Sequence, residues 1–222
     1  MLRTGEVDGL VTAPVSKEAI VRAGIRWIGH TEFLGESFRV RTVMMFISGS
    51  FRVSLVTTHV PVRRLSGLLT KENVRSAIRM TREALLGDFS VRTPKIGLCA
   101  LNPHGGEGGI FGDEEARVLH PASRSFGGSV KGPLPADSLL KDAVAGKYDA
   151  VVAIYHDQAL IPLKLKGWNR AVNVTLGLPF VRTSPVHGTA FDIAGKGKAD
   201  AGSMLSALDL AERLSRGRKK VK

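Results

Sequence analysis

Two hydrophobic periods alternate along this chain. Short apolar runs read as strands: Val7-Asp-Gly-Leu-Val-Thr-Ala13, Thr42-Val-Met-Met-Phe-Ile-Ser48, Phe51 to His59, Lys95 to Leu101 and Asp149-Ala-Val-Val-Ala-Ile154. Between them lie stretches of helical spacing. Ser16 caps a short helix from Lys17 to Ala23 that stops at Gly24, and Gly29 to Leu34 opens another helical turn. Thr70 and Asn73 begin a long amphipathic helix that turns Val74, Ile78 and Leu85 inward as far as Leu86. Gly49-Ser50 joins two strands as a hairpin, and Gly112-Asp113-Glu114-Glu115 starts a helix with acids in its first turn. Gly132 to Asp137 reads as a stiff loop. After Asp200 a last helix carries Met204, Leu208, Ala211 and Leu214 along one face. Alternating strands and helices, with unbroken Val/Ile-rich strands, predict an α/β fold of mostly parallel sheet covered by helices.

The composition is that of an ordinary globular chain, with 43% apolar and 23% charged residues in 222. One cysteine, Cys99, lies in a strand run and reads as a small buried core residue, so no internal disulfide is available and a reducing cytoplasm is expected. No apolar run is long enough for a membrane span, and no membrane partner is expected. The net charge of +12 raises nucleic acid as a partner. The lysines and arginines are scattered, however, and only Arg213 to Lys222 forms a basic run, read as a frayed solvated tail. Nucleic acid is therefore not expected, and the charge suits small anionic ligands.

Ligands of open α/β sheets bind beyond the carboxyl ends of strands, and His59, His104 and His156 each stand at such an end. Tyr155, Asp157 and Gln158 emerge beside His156, and Lys164, Asn173 and Arg182 follow. Three imidazoles with open positions suit a divalent metal, although their spacing alone fits independent capping histidines better.

The motifs Gly29-His-Thr-Glu-Phe33, Thr57-Thr-His59, Leu101-Asn-Pro-His104 with Gly106-Glu-Gly-Gly109, Gly132-Pro-Leu-Pro-Ala-Asp137, Tyr155-His-Asp-Gln158 and Gly177-Leu-Pro-Phe-Val-Arg-Thr183 occur in this order. Together they resemble the 4-hydroxythreonine-4-phosphate dehydrogenase family, of isocitrate/isopropylmalate dehydrogenase-like fold. The resemblance runs from about Val7 to Ala211 and starts inside the family pattern, which carries a further segment of roughly a hundred residues ahead of it. The expectation is an N-terminally truncated fold, with 1–24 and 186–222 as the remnant of a cofactor-binding domain and 25–185 as the metal, substrate and dimerisation domain. A truncated chain should expose apolar surface and an unpaired strand edge, and should turn over slowly.

The resemblance implies NAD-dependent oxidation and decarboxylation of 4-phosphohydroxy-L-threonine in pyridoxal phosphate biosynthesis. The alternatives are a paralogue acting on a phosphorylated threonate or an aromatic diol, or a non-catalytic remnant. It implies His59, His104 and His156 as metal ligands drawn from both subunits of a homodimer, with Zn expected first and Mg or Co as alternatives. His30, Thr31, Lys164, Asn173 and Arg182 match substrate-binding positions, and Asp137 and Lys164 are the candidates for proton transfer.

No Gly-x-Gly-x-x-Gly is present. Pro185 to Asp200 instead resembles the adenosine-binding loop of the isocitrate and isopropylmalate dehydrogenases. That likeness implies His187, Gly188, Thr189, Ala190, Asp192 and Asp200 as cofactor residues. A carboxylate at Asp192 would accept the ribose hydroxyls of NAD and repel the phosphate of NADP, so NAD is expected, with NADP as the alternative.

Overall fold

The computed structural model describes residues 1–25 and 29–219. In chain order the strands are β1 (Gly9–Val11), β2 (Val43–Ser48), β3 (Phe51–Leu55), β4 (Ile96–Cys99), β5 (Val130–Leu134), β6 (Ala150–Ala153), β7 (Val172–Leu176) and β8 (Val181–Pro185). The α-helices are α1 (Lys17–Arg22), α2 (His30–Phe38), α3 (Leu65–Leu68), α4 (Lys71–Gly87), α5 (His120–Arg124), α6 (Ala136–Val144), α7 (His156–Gly167) and α8 (Gly202–Lys219). Local chemistry starts two of them as expected: Ser16 Oγ accepts from Ala19 N at 3.1 Å and Thr70 Oγ1 from Asn73 N at 3.1 Å.

All eight strands join one sheet in the order β1-β8-β7-β2-β3-β6-β4-β5. Four pairings are parallel (β1/β8, β3/β6, β4/β5, β4/β6), and three are antiparallel (β2/β3, β2/β7, β7/β8). The register sorts side chains into two faces, because successive residues of a strand point to opposite sides. One aligned row runs Leu98, Val152, Ser54, Met45, Val174, Thr183. This first face is covered by α4 and α8: Thr81 of α4 donates to Ser54 Oγ at 2.8 Å, and Thr183 donates to the Ala207 carbonyl of α8 at 2.8 Å. The neighbouring row, Gly97, Val151, Val53, Phe46, Asn173, Ser184, lies on the second face. There α6 seats Leu139 against Gly97, and the last residue of α7 receives a bond from Ser48 Oγ at 3.1 Å.

Three local expectations change. Gly132 to Leu134 lies within β5 rather than in a loop, and Pro133 is tolerated because β5 is an edge strand that spares its missing donor. The buried stripe of α8 is Ser203, Ala207, Leu210, Ala211 and Leu214, while Leu208 is 47% exposed. The basic run is helical as far as Lys219, anchored by Leu214 and by Arg218, whose guanidinium meets Asp88 through two 2.8 Å bonds. Its last residues, 220–222, lie outside the described residues. Cys99 is fully buried and its thiol is pushed up to about 12 by burial, as an inert core residue should be. Among the described residues no helix is long and apolar enough to cross a membrane.

Candidate active site

On the second face, strand alternation produces a polar patch in an otherwise apolar sheet. Asn173 and Thr175 of β7 share this side with Arg182 and Ser184 of β8, while Val172, Val174, Leu176, Val181 and Thr183 turn to the first face or its margins. The Arg182 side chain donates Nη1 to Thr175 Oγ1 at 3.0 Å and Nη2 to Thr12 Oγ1 at 2.6 Å. Thr31, at the start of α2, lies 3.3 Å from the same Thr175 hydroxyl. Arg182 is only 3% exposed, and burial pulls its pKa down to about 10 against the opposing pull of Glu32. Its Nε and the Asn173 Oδ1 are buried and find no hydrogen-bond partner among the described residues. A buried guanidinium with an unsatisfied donor is costly unless an anion completes it.

These groups open into a cleft of about 230 Å³ whose walls include Lys17, His30, Thr31, His59, Asn173, Arg182, His187 and Gly188. Burial, then the Arg182 charge, lowers the pKa of His30, so its imidazole is held neutral. His59 reaches the cleft because the parallel pairing of β3 with β6 continues past the strand: Val56 N donates to the Ala153 carbonyl at 2.9 Å and Thr57 N to the Ile154 carbonyl at 3.1 Å. That register carries the two chains in step to His59 and His156, whose ring centroids lie 5.8 Å apart. Burial first, then Lys17 and His156, lower the pKa of His59. The His156 Nδ1 pairs with Asp157 Oδ1 at 2.7 Å.

His104 is held differently. After β4 the chain makes a left-handed turn with positive φ from His104 through Gly109. A Cβ on Gly106 would meet Glu115 Oε2 at 2.8 Å, so the turn needs glycine there both for space and for its φ of 81°. Glu115, 4% exposed, fixes the turn by accepting from Leu101 N, Asn102 N and Asn102 Nδ2 at 2.8, 2.9 and 2.9 Å. The His104 ring packs 6.3 Å from Phe111, and Ile110 and Phe111 stand exposed at the tip.

The last predicted cluster forms a second cavity, of about 340 Å³, lined by His187, Gly188, Ala190 and Asp200 among others. It shares His187 and Gly188 with the Arg182 cleft. Thr189 and Asp192 are exposed outside its lining, and Lys196 Nζ donates to the Asp192 carbonyl at 2.7 Å. Asp200 also starts α8, accepting from Gly202 N at 2.8 Å.

The model of the family described as pyridoxal phosphate biosynthetic protein PdxA matches residues 1–211. This chain belongs to the PdxA family. Among curated PdxA-like relatives, the 4-hydroxythreonine-4-phosphate dehydrogenase of Geobacter metallireducens is 51% identical over 96% of this chain and 63% of its own length. The chain thus spans a little under two thirds of that relative. The solved 4-hydroxythreonine-4-phosphate dehydrogenase of Klebsiella pneumoniae superposes with a TM-score of 0.87 at 40% identity, covering 96% of this chain and 65% of that one. The isocitrate dehydrogenase of Methylococcus capsulatus, at 14% identity and a TM-score of 0.54, covers 93% of this chain and 70% of its own, and shares the fold alone.

Within this PdxA-family chain, His30, Thr31, Asn173, Arg182 and His59 come together, with His156 beside His59. Asp137, at the start of α6, and Lys164, late in α7, are exposed and outside the lining of either cavity. Gln158, expected among the chemical groups, is a staple: its amide donates to the Ala100 carbonyl and its Oε1 accepts from Ile154 N, both at 2.8 Å. Among the described residues no three acidic, histidine or cysteine side chains converge to hold a metal. The chemistry of the pair nonetheless suits one, since a neutral His59 and a carboxylate-oriented His156 are two nitrogen donors, lacking a third. Lys17, Glu32 and Ser184 line the cleft without having been foreseen. Ser16 caps the helix that Lys17 begins, and the place of Lys17 just after a strand is the signal in the sequence for its position in the cleft.

Proposed function

We propose that this chain carries the substrate half of an NAD-dependent dehydrogenase that oxidises the hydroxyl of 4-phosphohydroxy-L-threonine. The resulting β-keto acid loses carbon dioxide to leave 3-amino-2-oxopropyl phosphate, in the formation of pyridoxal phosphate in the cytoplasm. The observation that carries this reading is Arg182, a buried guanidinium with an unpartnered Nε, in the lining of a cleft that His59 also lines. Arg182 would bind an anionic group of the substrate, and Asn173 Oδ1 would accept from a hydroxyl or ammonium group. Neutral His30 can take a proton beside that fixed charge. The substrate C–H leaves as hydride to the nicotinamide of NAD, with NADP as the alternative, and its O–H proton leaves to a base of the site.

The pairing of His59 with His156, and the display of His104 beside exposed Ile110 and Phe111, support a site completed by His104 of a second subunit. A divalent cation held there, Zn first and Mg or Co as alternatives, would supply Lewis-acid stabilisation of the charge developing on the substrate oxygen. Asp137 and Lys164 would enter the same site only from that second subunit. The shared wall at His187 and Gly188 supports the neighbouring cavity as the place for the adenosine end of the cofactor, where Asp200 could accept a ribose hydroxyl and Asp192 would have to turn inward to do so.

Calorimetric titration with 4-phosphohydroxy-L-threonine, alongside reduced-nicotinamide absorbance with NAD and NADP, tests the reading. Saturable binding weakened about a hundredfold by Arg182→Met is expected, and an affinity unchanged by that substitution would overturn it.

A further inference from the structure

On the first face of the sheet, away from the Arg182 cleft, lies a cavity of about 360 Å³ between the end of α4, the β2–β3 hairpin and α8. Three arginines line it. Arg52, paired across the hairpin with Ile47, occupies a sheet position whose neighbour along the same face is the buried Ser54. Its guanidinium stacks on the Phe89 ring at 4.7 Å and donates Nη1 to the Asp149 carbonyl at 3.1 Å. Its Nε is buried and without a hydrogen-bond partner among the described residues.

The charges around it are mixed. The Asp149 carboxylate attracts Arg52 and Arg213 of α8 acts on it as a like charge, while no carboxylate among the described residues is paired with Arg213. The one acid in the lining, Asp88, is clamped by both arms of Arg218. Arg216 lies at the rim and is tethered to Glu212 on the outer surface of the helix. Two guanidiniums, one stacked and partly desolvated and one unpaired, thus share a concavity whose floor includes Ile47, Leu210 and Leu214. Forks in this setting suit the oxygens of a phosphoryl group better than a point charge would, and the volume suits a small molecule rather than a polymer.

We propose that this cavity binds a small phosphate-bearing anion, a phosphate monoester or diphosphate, between Arg52 and Arg213, with Arg216 at the rim. The site lies on the other face of the sheet from the Arg182 cleft and stands or falls independently of it.

The test is titration of the isotope-labelled full chain with inorganic pyrophosphate at constant ionic strength, read by amide resonances. Saturable shifts are expected at Gly49, Phe89 and Ser90, and Arg213→Ala should weaken that response at least about tenfold, or roughly 1.4 kcal/mol. The response at Thr31 and Gly188, which reports any binding in the other cleft, should be unchanged by the substitution. Arg213 is exposed, so the fold should survive, and Arg216→Ala supplies a second variant with a smaller loss. Absence of saturable shifts at Gly49, Phe89 and Ser90, equal shifts with chloride, or an unchanged affinity in Arg213→Ala would each overturn the proposal.

Discussion

Arg182 concentrates the cost of this site in one side chain. Threonine hydroxyls satisfy its two terminal nitrogens, yet these are neutral partners for a cation that burial has already pulled down to about 10. Replacing a poorly compensated buried charge by an apolar side chain of similar length removes that desolvation along with the bonds. Arg182→Met should therefore change the urea midpoint little, by less than about 1 kcal/mol, while raising KM or Kd for an anionic substrate about a hundredfold. A large loss of stability without a loss of affinity would show the residue to be structural. His30 gives the second residue-scale prediction. Burial and then Arg182 lower its folded pKa, so the unfolded chain takes up the proton first as pH falls. The contribution is fully present above the ordinary histidine value of about 6.5 and is lost as pH drops through the lowered folded value. Urea midpoints at successive pH values should decline below that point, and His30→Asn should flatten the decline. An anion bound beside Arg182 should do the same in the unaltered chain.

At the scale of elements, what the sequence revealed was period and order, and what it hid was phase and partnership. The buried run at β6, the Ser16 and Thr70 caps and the hairpin at Gly49-Ser50 are local chemistry, and the structure has all of them. The three histidines indeed follow β3, β4 and β6, parallel strands of which β6 lies between the other two, because strand ends are legible wherever apolar runs stop. Of the expected α8 face, Ala211 and Leu214 are buried, whereas Met204 and Leu208 lie off the stripe because packing on β8 selects Ala207 and Leu210 instead. Small residues such as Ala207 and Ser203 carry little hydrophobic signal, yet they let the helix approach the sheet. Leu210→Ala should accordingly cost about 2–5 kcal/mol, and Leu208→Ala less than about 0.5 kcal/mol, by equilibrium unfolding. Equal costs would restore the phase expected from sequence. The polar row of Asn173, Thr175, Arg182 and Ser184 was hidden for a similar reason. Its two strands are antiparallel neighbours separated by a turn at Gly177, where φ is 89° and a Cβ would strike the Arg41 carbonyl at 2.3 Å. Register, which no single strand reveals, places those side chains on one face.

For the whole molecule, the fold brings two histidines together and turns the third outward on a braced loop. The register that delivers His59 to His156 is continuous backbone pairing, whereas His104 stands exposed on a turn whose glycines and Glu115 brace it. If a second copy uses it, each complete site draws His59 and His156 from one chain and His104 from the other. That arrangement makes a prediction that no single-chain site can meet. His104→Ala and His59→Ala variants should each fail to retain zinc as homodimers. In a heterodimer of the two, one site combines intact His59 and His156 with an intact His104, while the other carries both lesions. Co-expressed and randomly paired, the mixture should recover about a quarter of the zinc per chain held by the unaltered protein, since half the dimers are mixed and each has one intact site of two. Differently tagged variants purified through both tags should hold about half. Metal content is the readout, so the result does not depend on turnover. Heterodimers recovered through both tags but without zinc would show that each site takes His59 and His104 from the same chain, and zinc retained by His104→Ala homodimers would remove His104 from the set.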